Sequence, residues 1–406
     1  VDVDVVHMMP QGGSSDQQQR GAAVERKDVN YQIRKFTPDD GPRMRELLLT
    51  RPGIEPQEAD ERLRMVQWMA DHNPFAGDEI TCYVAEDDGR IIAYLGRMPV
   101  QFVIRGELRK GYYVHDWYVH PEYRKRGLGL FIAFQLEKRA IRDSDSFCCG
   151  VWGNDASRAI VRRLGYFFVW ADGYCKVLSA RWLLIKWLRW PWLAYLLYPL
   201  VKLPMAVADA LLRLTTPAVE IIPIERFGEE FDELYRRTLG RIGISTARTT
   251  AYLNWKYVDR PYPPDAMFAA RRDGHLVGYV VLAIDPVARG RFGVILDILA
   301  DPDDAAAIAG LVQASITYFR RERVDLILAI MTDRRFIAVL ARYLFLKRDW
   351  ARESVVMSNL DDYPGDPEVL RDLDNWHLTK GESDGFIIHR LLSRAERRRQ
   401  AQGIHH

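Results

Sequence analysis

The strongest constraint on the fold is that the chain repeats itself. Residues 85–94 (AEDDGRIIAY) are matched by residues 270–279 (ARRDGHLVGY) at an offset of 185, which aligns an alanine, an Asp-Gly pair and a final tyrosine. Trp68 precedes Pro74-Phe75 as Trp255 precedes Pro261-Tyr262. VHDWYVHP (114–121) aligns with ILDILADP (295–302), and AIVRRLGY (159–166) with AVLARYLF (338–345). Four matches in one order, with a slowly drifting offset, describe two copies of one unit. A chain of 406 residues has room for two such units and their connections.

Each copy reads as mixed α/β. In the first, strand YQIRKF leads into an amphipathic helix, PDDGPRMRELLLT, with Asp39 or Asp40 placed to cap it, and a second helix covers residues 56–70. A hairpin follows, TCYVAE–DDG–RIIAYLGRMPVQF, turning at Asp88-Gly89. Strand YYVHDWYV then enters a glycine-bearing loop and a helix, and strand FCCGVW and helix DASRAIVRRL come after it. This order predicts an α/β (α+β) fold in which each copy is a mixed, partly parallel sheet flanked by helices. The expected organisation is a disordered leader over 1–27, a first domain over 28–180, a connector over 181–217, a second domain over 218–392 and a basic tail over 393–406.

Charge and cysteine usage narrow the function. The 57 Lys+Arg against 55 Asp+Glu leave a net charge of +2, which argues against binding nucleic acid by bulk electrostatics. Cys82, Cys148, Cys149 and Cys175 show no CxxC spacing. They suit buried thiols in a reducing cytoplasm, and no metal is expected. The leader has neither a basic nor a long apolar region, so it does not read as a signal peptide. In the connector the longest uncharged run, Trp190–Val201, has 12 residues, too few to span a bilayer. Its four Trp and two Tyr, interleaved with Lys186, Arg189 and Lys202, leave two readings for 181–215. One is a hydrophobic clamp between the domains; the other is peripheral contact with the inner face of a membrane.

The densest chemical signal lies at 113–140. A strand ends at Val119, His120-Pro121 turns the chain, and Arg124-Lys125-Arg126-Gly127-Leu128-Gly129 opens a helix. Glycines there let backbone N–H groups approach an anion, the helix start adds unsatisfied donors and a positive dipole end, and the three cations suit phosphate. On a regular strand Tyr113, His115, Trp117 and Val119 share one face while Asp116 points the other way. An unperturbed histidine, with a pKa near 6.5, suits a base at neutral pH, so His115 is the candidate and Asp116 the alternative.

These residues resemble the GCN5-related N-acetyltransferase (GNAT) family. Its acetyl-CoA loop, Arg/Gln-x-x-Gly-x-Gly/Ala, is matched by Arg124, Gly127 and Gly129 after VHPEY. A second family element is matched at GNDASRAIVRRLGYF by Asn154, Ser157, Gly165 and Tyr166. The resemblance covers residues 31–178 and, more faintly, 219–390. It implies that the fourth and fifth strands splay apart and that pantetheine lies along Trp117, Tyr118 and Val119. The pyrophosphate would then sit on the amides of Arg124, Lys125, Arg126, Gly127, Leu128 and Gly129, with Asn154 and Ser157 beside the pantetheine arm. It also implies an acyl carbonyl polarised by a backbone N–H near Val119, and direct attack by a primary amine in a ternary complex. In some family members a His stands where His115 does. The usual general-acid Tyr position holds Val161, which leaves Tyr166, Tyr174 or Tyr112, or an unassisted thiolate.

In the second copy DDAAAIAGLVQA replaces the loop, and Asp303 and Asp304 put negative charge at the helix start. That copy is expected not to bind acetyl-CoA, and NWHLTKGESDGF (375–386) is expected to line a pocket. The resemblance leaves the acceptor open as an amine-bearing small molecule or an amino sugar, the latter through similar segments in proteins associated with bacterial surface polysaccharides. Two further readings stand beside an acetyltransferase. One is a non-catalytic CoA-binding scaffold or sensor; the other is a longer-chain N-acyltransferase at a membrane surface.

Overall fold

In the computed structural model, described over residues 31–77, 81–125, 128–142, 147–151, 153, 155–163, 165–179, 191–261, 263–287, 290–358 and 366–382, one order of elements runs through twice. The first pass is β1 (Gln32–Lys35), α1 (Gly41–Leu49), α2 (Pro56–Asp71), β2 (Cys82–Asp87), β3 (Arg90–Ile104) and β4 (Glu107–Val119). It continues with α3 (Pro121–Lys125), α4 (Gly129–Arg142), β5 (Phe147–Val151), α5 (Asp155–Arg163), β6 (Phe167–Ala171) and β7 (Gly173–Val177). After the long helix α6 (Pro191–Thr215) come β8 (Glu220–Pro223), α7 (Glu229–Thr238), β9 (Ser245–Thr246) and α8 (Thr250–Leu253). Then follow β10 (Ala266–Arg272), β11 (His275–Val287), β12 (Gly290–Ala300), α9 (Ala305–Arg321), β13 (Leu326–Ile330), α10 (Arg334–Arg342), β14 (Leu346–Lys347) and β15 (Glu353–Ser358). The leader 1–27, residues 181–190 of the connector and the tail 393–406 lie outside the described residues.

The repeated Asp-Gly pairs make the same turn in both copies. Asp88 and Gly89 have φ of 49° and 74°, and Asp273 and Gly274 have 50° and 77°, the consecutive positive values a two-residue hairpin loop demands. Asp40 behaves differently from its expected role as a helix cap. It is fully buried, accepts from the Thr37 amide at 2.8 Å and takes both terminal nitrogens of Arg34 at 2.6 and 2.7 Å. Its side chain makes no capping bond to α1.

The two mixed sheets have the same plan, each taking the strand beside its parallel pair from the other copy, and the short β9 of the second copy also pairs with β3. The first runs β1-β2-β3-β4-β5-β15-β6; the second, read in the matching direction, runs β8-β10-β11-β12-β13-β7-β14. Thus β7, inside the expected first domain, is a strand of the second sheet, and β15, inside the expected second, is a strand of the first. The cause is local. Only Asp172 separates β6 from β7, one residue fewer than the tightest common hairpin needs, so the chain runs on into the other sheet. The two exchanging segments touch at Gly173. Its carbonyl accepts from the Arg348 amide at 2.9 Å, and a Cβ there would stand 2.0 Å from the Ala351 carbonyl oxygen.

Trp68 and Trp255, aligned by the repeat, stack on each other with ring centroids 4.6 Å apart and planes 4° from parallel. Equivalent residues meet in this way when two copies pack about an approximate two-fold. Around them one core is shared by both copies, including Met98, Phe102 and Tyr113 from the first and Ile330, Trp376 and Leu378 from the second.

The crossing gives a direct test. Gly173→Ala should destabilise the protein by about 1–3 kcal/mol or more, because backbone rather than a side-chain tip blocks the added methyl. Gly228→Ala, with nothing within 4 Å of the added atom, should stay within about 0.5 kcal/mol. Urea unfolding of both variants checks the contrast.

Candidate active site

The site is built on an irregularity in β4. Its ladder with β3 pairs Tyr94 with Tyr118 but Gly96 with His115, so β4 carries one extra residue, and Asp116 has a φ of 42°. Aspartate tolerates that left-handed conformation better than most residues. The bulge reverses which face later side chains occupy. Tyr113 packs toward α2, and Asp116 follows on that same side, bonded to α2 and the end of α1. Trp117 and Val119 pack with Val114 against the core beneath α4. The regular-strand expectation for Tyr113, His115, Trp117 and Val119 therefore fails, because it assumes an unbroken two-residue period.

Asp116 locks the bulge. Arg51 donates to its Oδ1 at 2.6 Å, Arg62 approaches the same oxygen at 3.5 Å, and the Tyr94 hydroxyl donates to Oδ2. Burial works against the carboxylate, but Arg51 and Arg62 more than offset it and hold its pKa down at about 2. His115 is 4% exposed, with its ring lying directly over Gly96; a Cβ on residue 96 would stand 2.4–2.7 Å from three ring atoms.

Just before the bulge β4 parts from β5. Parallel pairing covers Gly111–Phe147, Tyr112–Cys148 and Tyr113–Cys149 and then stops, although β4 continues to Val119. Among the described residues no strand pairs with this stretch on the β5 side. The gap leads to α3 and the start of α4. Arg124 and Lys125 are exposed there, and Leu128 donates to the Tyr123 carbonyl at 3.0 Å. Gly129 is pressed against Arg124, whose Cγ lies 2.8 Å from where a Cβ would stand. Across the gap, the Ser157 hydroxyl lies over Gly153 with Ser354 of the exchanged strand nearby. Arg126, Gly127 and Asn154 lie outside the described residues.

Comparison with known proteins agrees with this geometry. Residues 42–166 match the family described as the Acetyltransferase (GNAT) family. They form a GNAT-family domain. No curated protein sequence matches the chain. Among solved structures the chain is similar to a GCN5-related N-acetyltransferase from Anabaena variabilis, with a TM-score of 0.54 and 12% identity over 81% of this chain and 72% of that one. It is similar to one from Kribbella flavida at 0.52 and 13%, over 81% and 70%. It is also similar to Saccharomyces cerevisiae N-myristoyltransferase with bound myristoyl-CoA at 0.50 and 12%, over 83% and 84%. Identities this low establish the fold alone; function lies in the site.

Within the GNAT domain Tyr166 sits at the closed end of the gap. Its hydroxyl is bonded to Glu137 of α4, which also takes the Cys148 thiol at 3.8 Å, and Cys148 pairs with Tyr112 where the two strands are still joined. Glu137 is 2% exposed, and burial pushes its carboxyl up to about 7 against the pull of Tyr166 and Arg97. The sequence analysis did not single it out, since a lone Glu in an amphipathic helix reads as surface. Tyr174 lies on the exchanged strand, paired with Ala329 of the second sheet. Among the described residues no group of three or more His, Cys, Asp or Glu is placed to hold a metal ion.

The second sheet has the same bulge and the same parting of strands, but its gap is filled. β12 shifts register on β11 beside Asp297 and pairs with β13 only as far as Ile295–Ala329. Residues 376–382 run through the opening beyond. The Gly381 amide donates to the Leu296 carbonyl at 2.6 Å, His377 Nε2 lies 3.0 Å from the Ile298 carbonyl, and Thr379 bridges Met331. A Cβ on Gly381 would stand 2.7 Å from the Leu296 oxygen and 2.5 Å from the Tyr257 hydroxyl. The segment expected to line a pocket is itself the filling of one.

The filling segment also reaches the GNAT domain. Glu382, 2% exposed, accepts from Arg248 at 2.8 Å, Thr246 at 2.7 Å and Tyr113 at 3.2 Å. Arg248 bonds Asp297 in turn, and Tyr279 donates to Asp297 at 3.0 Å, repeating the Tyr94–Asp116 lock. Arg248, Thr246 and Glu382 carry no motif that the sequence analysis could have found.

The raised Glu137 pKa has a stability consequence. The folded protein holds this proton up to about pH 7, while the unfolded chain releases it in the ordinary carboxyl range. Stability should therefore fall as pH rises through that window, by roughly 1.4 kcal/mol per pH unit. Glu137→Gln should flatten the dependence, measured as melting temperature against pH for both proteins.

Proposed function

We propose that the protein is an acyl-CoA-dependent N-acyltransferase, with acetyl-CoA as the donor, and that its one acyl-CoA site is the open gap between β4 and β5. The observation that carries this reading is the contrast between two equivalent gaps, one open and one filled by residues 376–382. The residues fit such a substrate. Along its β5 side, where no described strand lies, β4 from 114 to 119 offers a strand-like track for the pantetheine amides, along Trp117, Tyr118 and Val119. Exposed Arg124 and Lys125 at the start of α4, with Gly129 admitting close approach, suit the pyrophosphate, and Ser157 flanks the arm.

In the transfer, the acceptor nitrogen forms a bond to the thioester carbonyl carbon, the carbon–sulfur bond breaks, and CoA leaves as thiolate. His115 takes the proton from the amine, directly or through water, and the thiolate regains one from that imidazole or from solvent. Asp116 is not the base in this reading, since three donors already hold it ionised. Tyr166 is not the acid, because it stands at the closed end with Glu137. The acceptor class is a primary amine on a small molecule or amino sugar, acted on in the cytoplasm. A longer acyl chain is the second reading, favoured by the fold likeness to a myristoyl-CoA enzyme and by the apolar surface of α6.

Calorimetric titration with acetyl-CoA, and in parallel with myristoyl-CoA, tests the assignment. One site per chain is expected, weakened at least about tenfold by Gly129→Leu, which would drive a side chain into Arg124. Two sites would overturn the reading of the filled gap. One site without transfer to any amine would favour a scaffold. Separately, Gly96→Ala should push the imidazole off its seat, lowering kcat about tenfold or more with acyl-CoA affinity nearly unchanged. An unchanged kcat would remove His115 from the reaction.

A further inference from the structure

The connector helix α6 separates the two readings of residues 181–215. Among its described side chains, one face fixes it to the body. Asp209 is buried and paired with Lys176 at 3.0 Å and with Arg320, and Leu212 packs on the second core. Thr216, just past its end, bonds the Tyr343 hydroxyl at 2.6 Å. Met205 and Ala208 are half-buried on the same face.

The other face is apolar and bare. Leu200, Leu203, Val207, Leu211 and Leu214 are 51–83% exposed. At 100° per residue they fall within about 80° of arc, opposite the Asp209 side. Among the described residues, eleven large apolar side chains are exposed, and these five are the largest group on any one element. A clamp between domains would bury this stripe, so the clamp reading fails for the described part of the segment.

We propose that this face of α6 docks on an anionic lipid surface. Charge selects that occupant. From Arg181 to Ala208 every charged residue is a cation (Arg181, Lys186, Arg189, Lys202), and the first acid, Asp209, is already paired with Lys176 and Arg320. Arg213 adds an exposed cation near the end of the stripe. A sequence of basic residues, Trp and Tyr that leads into a leucine-faced helix has the composition of a segment lying in the headgroup region. Spanning is not implied, since among the described residues no helix is long and apolar enough to cross a membrane. The proposal is independent of the acyl-transfer reading.

Vesicle flotation tests it with the full chain. Phosphatidylcholine vesicles are compared with vesicles that contain about a quarter phosphatidylglycerol. The protein should float with the anionic vesicles, lose binding at high salt, and bind the neutral ones weakly. A triple variant, Leu203→Ser with Val207→Ser and Leu211→Ser, should reduce the bound fraction about tenfold while its melting temperature and acetyl-CoA titration stay unchanged. If that variant is poorly folded, Lys202→Glu with Arg213→Glu removes the charge and keeps the stripe, and should also abolish flotation. A wild-type protein that stays at the bottom overturns the proposal. So does equal flotation of the variants, or a dimer in size exclusion that the triple variant dissolves, which would make the stripe a self-interface.

Discussion

The exchange of β7 and β15 is the constraint on which the rest of the molecule depends. Neither sheet can be completed from its own half of the sequence, so the two halves must fold against each other before either has its strand beside the parallel pair. The crossing at Gly173 and Ala351 has no room for a side chain. The stacked Trp68 and Trp255 then lie in a core that neither half owns. Long-range pairing of this kind pays its loop-closure entropy late, which predisposes such a chain to slow, cooperative folding.

The same frame explains why two equivalent gaps differ. In both copies a bulge is pinned by an aspartate that an arginine and a tyrosine hold: Asp116 with Arg51 and Tyr94, Asp297 with Arg248 and Tyr279. Next to the pinned bulge one strand parts from its parallel neighbour, so that among the described residues its backbone has no strand on that side. Buried backbone groups need a partner from somewhere. In the second copy the chain supplies it from residues 376–382, and the Glu382 carboxylate carries the connection to Tyr113 of the GNAT domain. In the first copy no described segment enters, and the opening leads to Arg124, Lys125 and Gly129. Acid at Asp303 and Asp304 fits this division, since Asp304 caps its own helix through the Ala307 amide at 3.0 Å.

Much of this was written locally. The Asp-Gly turns, the alternation of strands and helices, the glycine loop before α4 and the doubled unit depend on contacts a few residues apart or on a repeat visible by alignment. These features set the α/β class and located the loop proposed for the pyrophosphate. The equivalence of Tyr94 with Tyr279 and of Asp116 with Asp297 was visible in the repeat, but not that each tyrosine bonds its aspartate. What decided the rest was register and long-range packing. One extra residue in β4 put Asp116 beside His115 and turned Trp117 away, an effect no period-two reading can anticipate. The strand exchange, the filling of the second gap and the bare face of α6 each join segments far apart in sequence. Their partners are set by which edge or surface is left unsatisfied once the sheets have formed, and only the tertiary structure shows that.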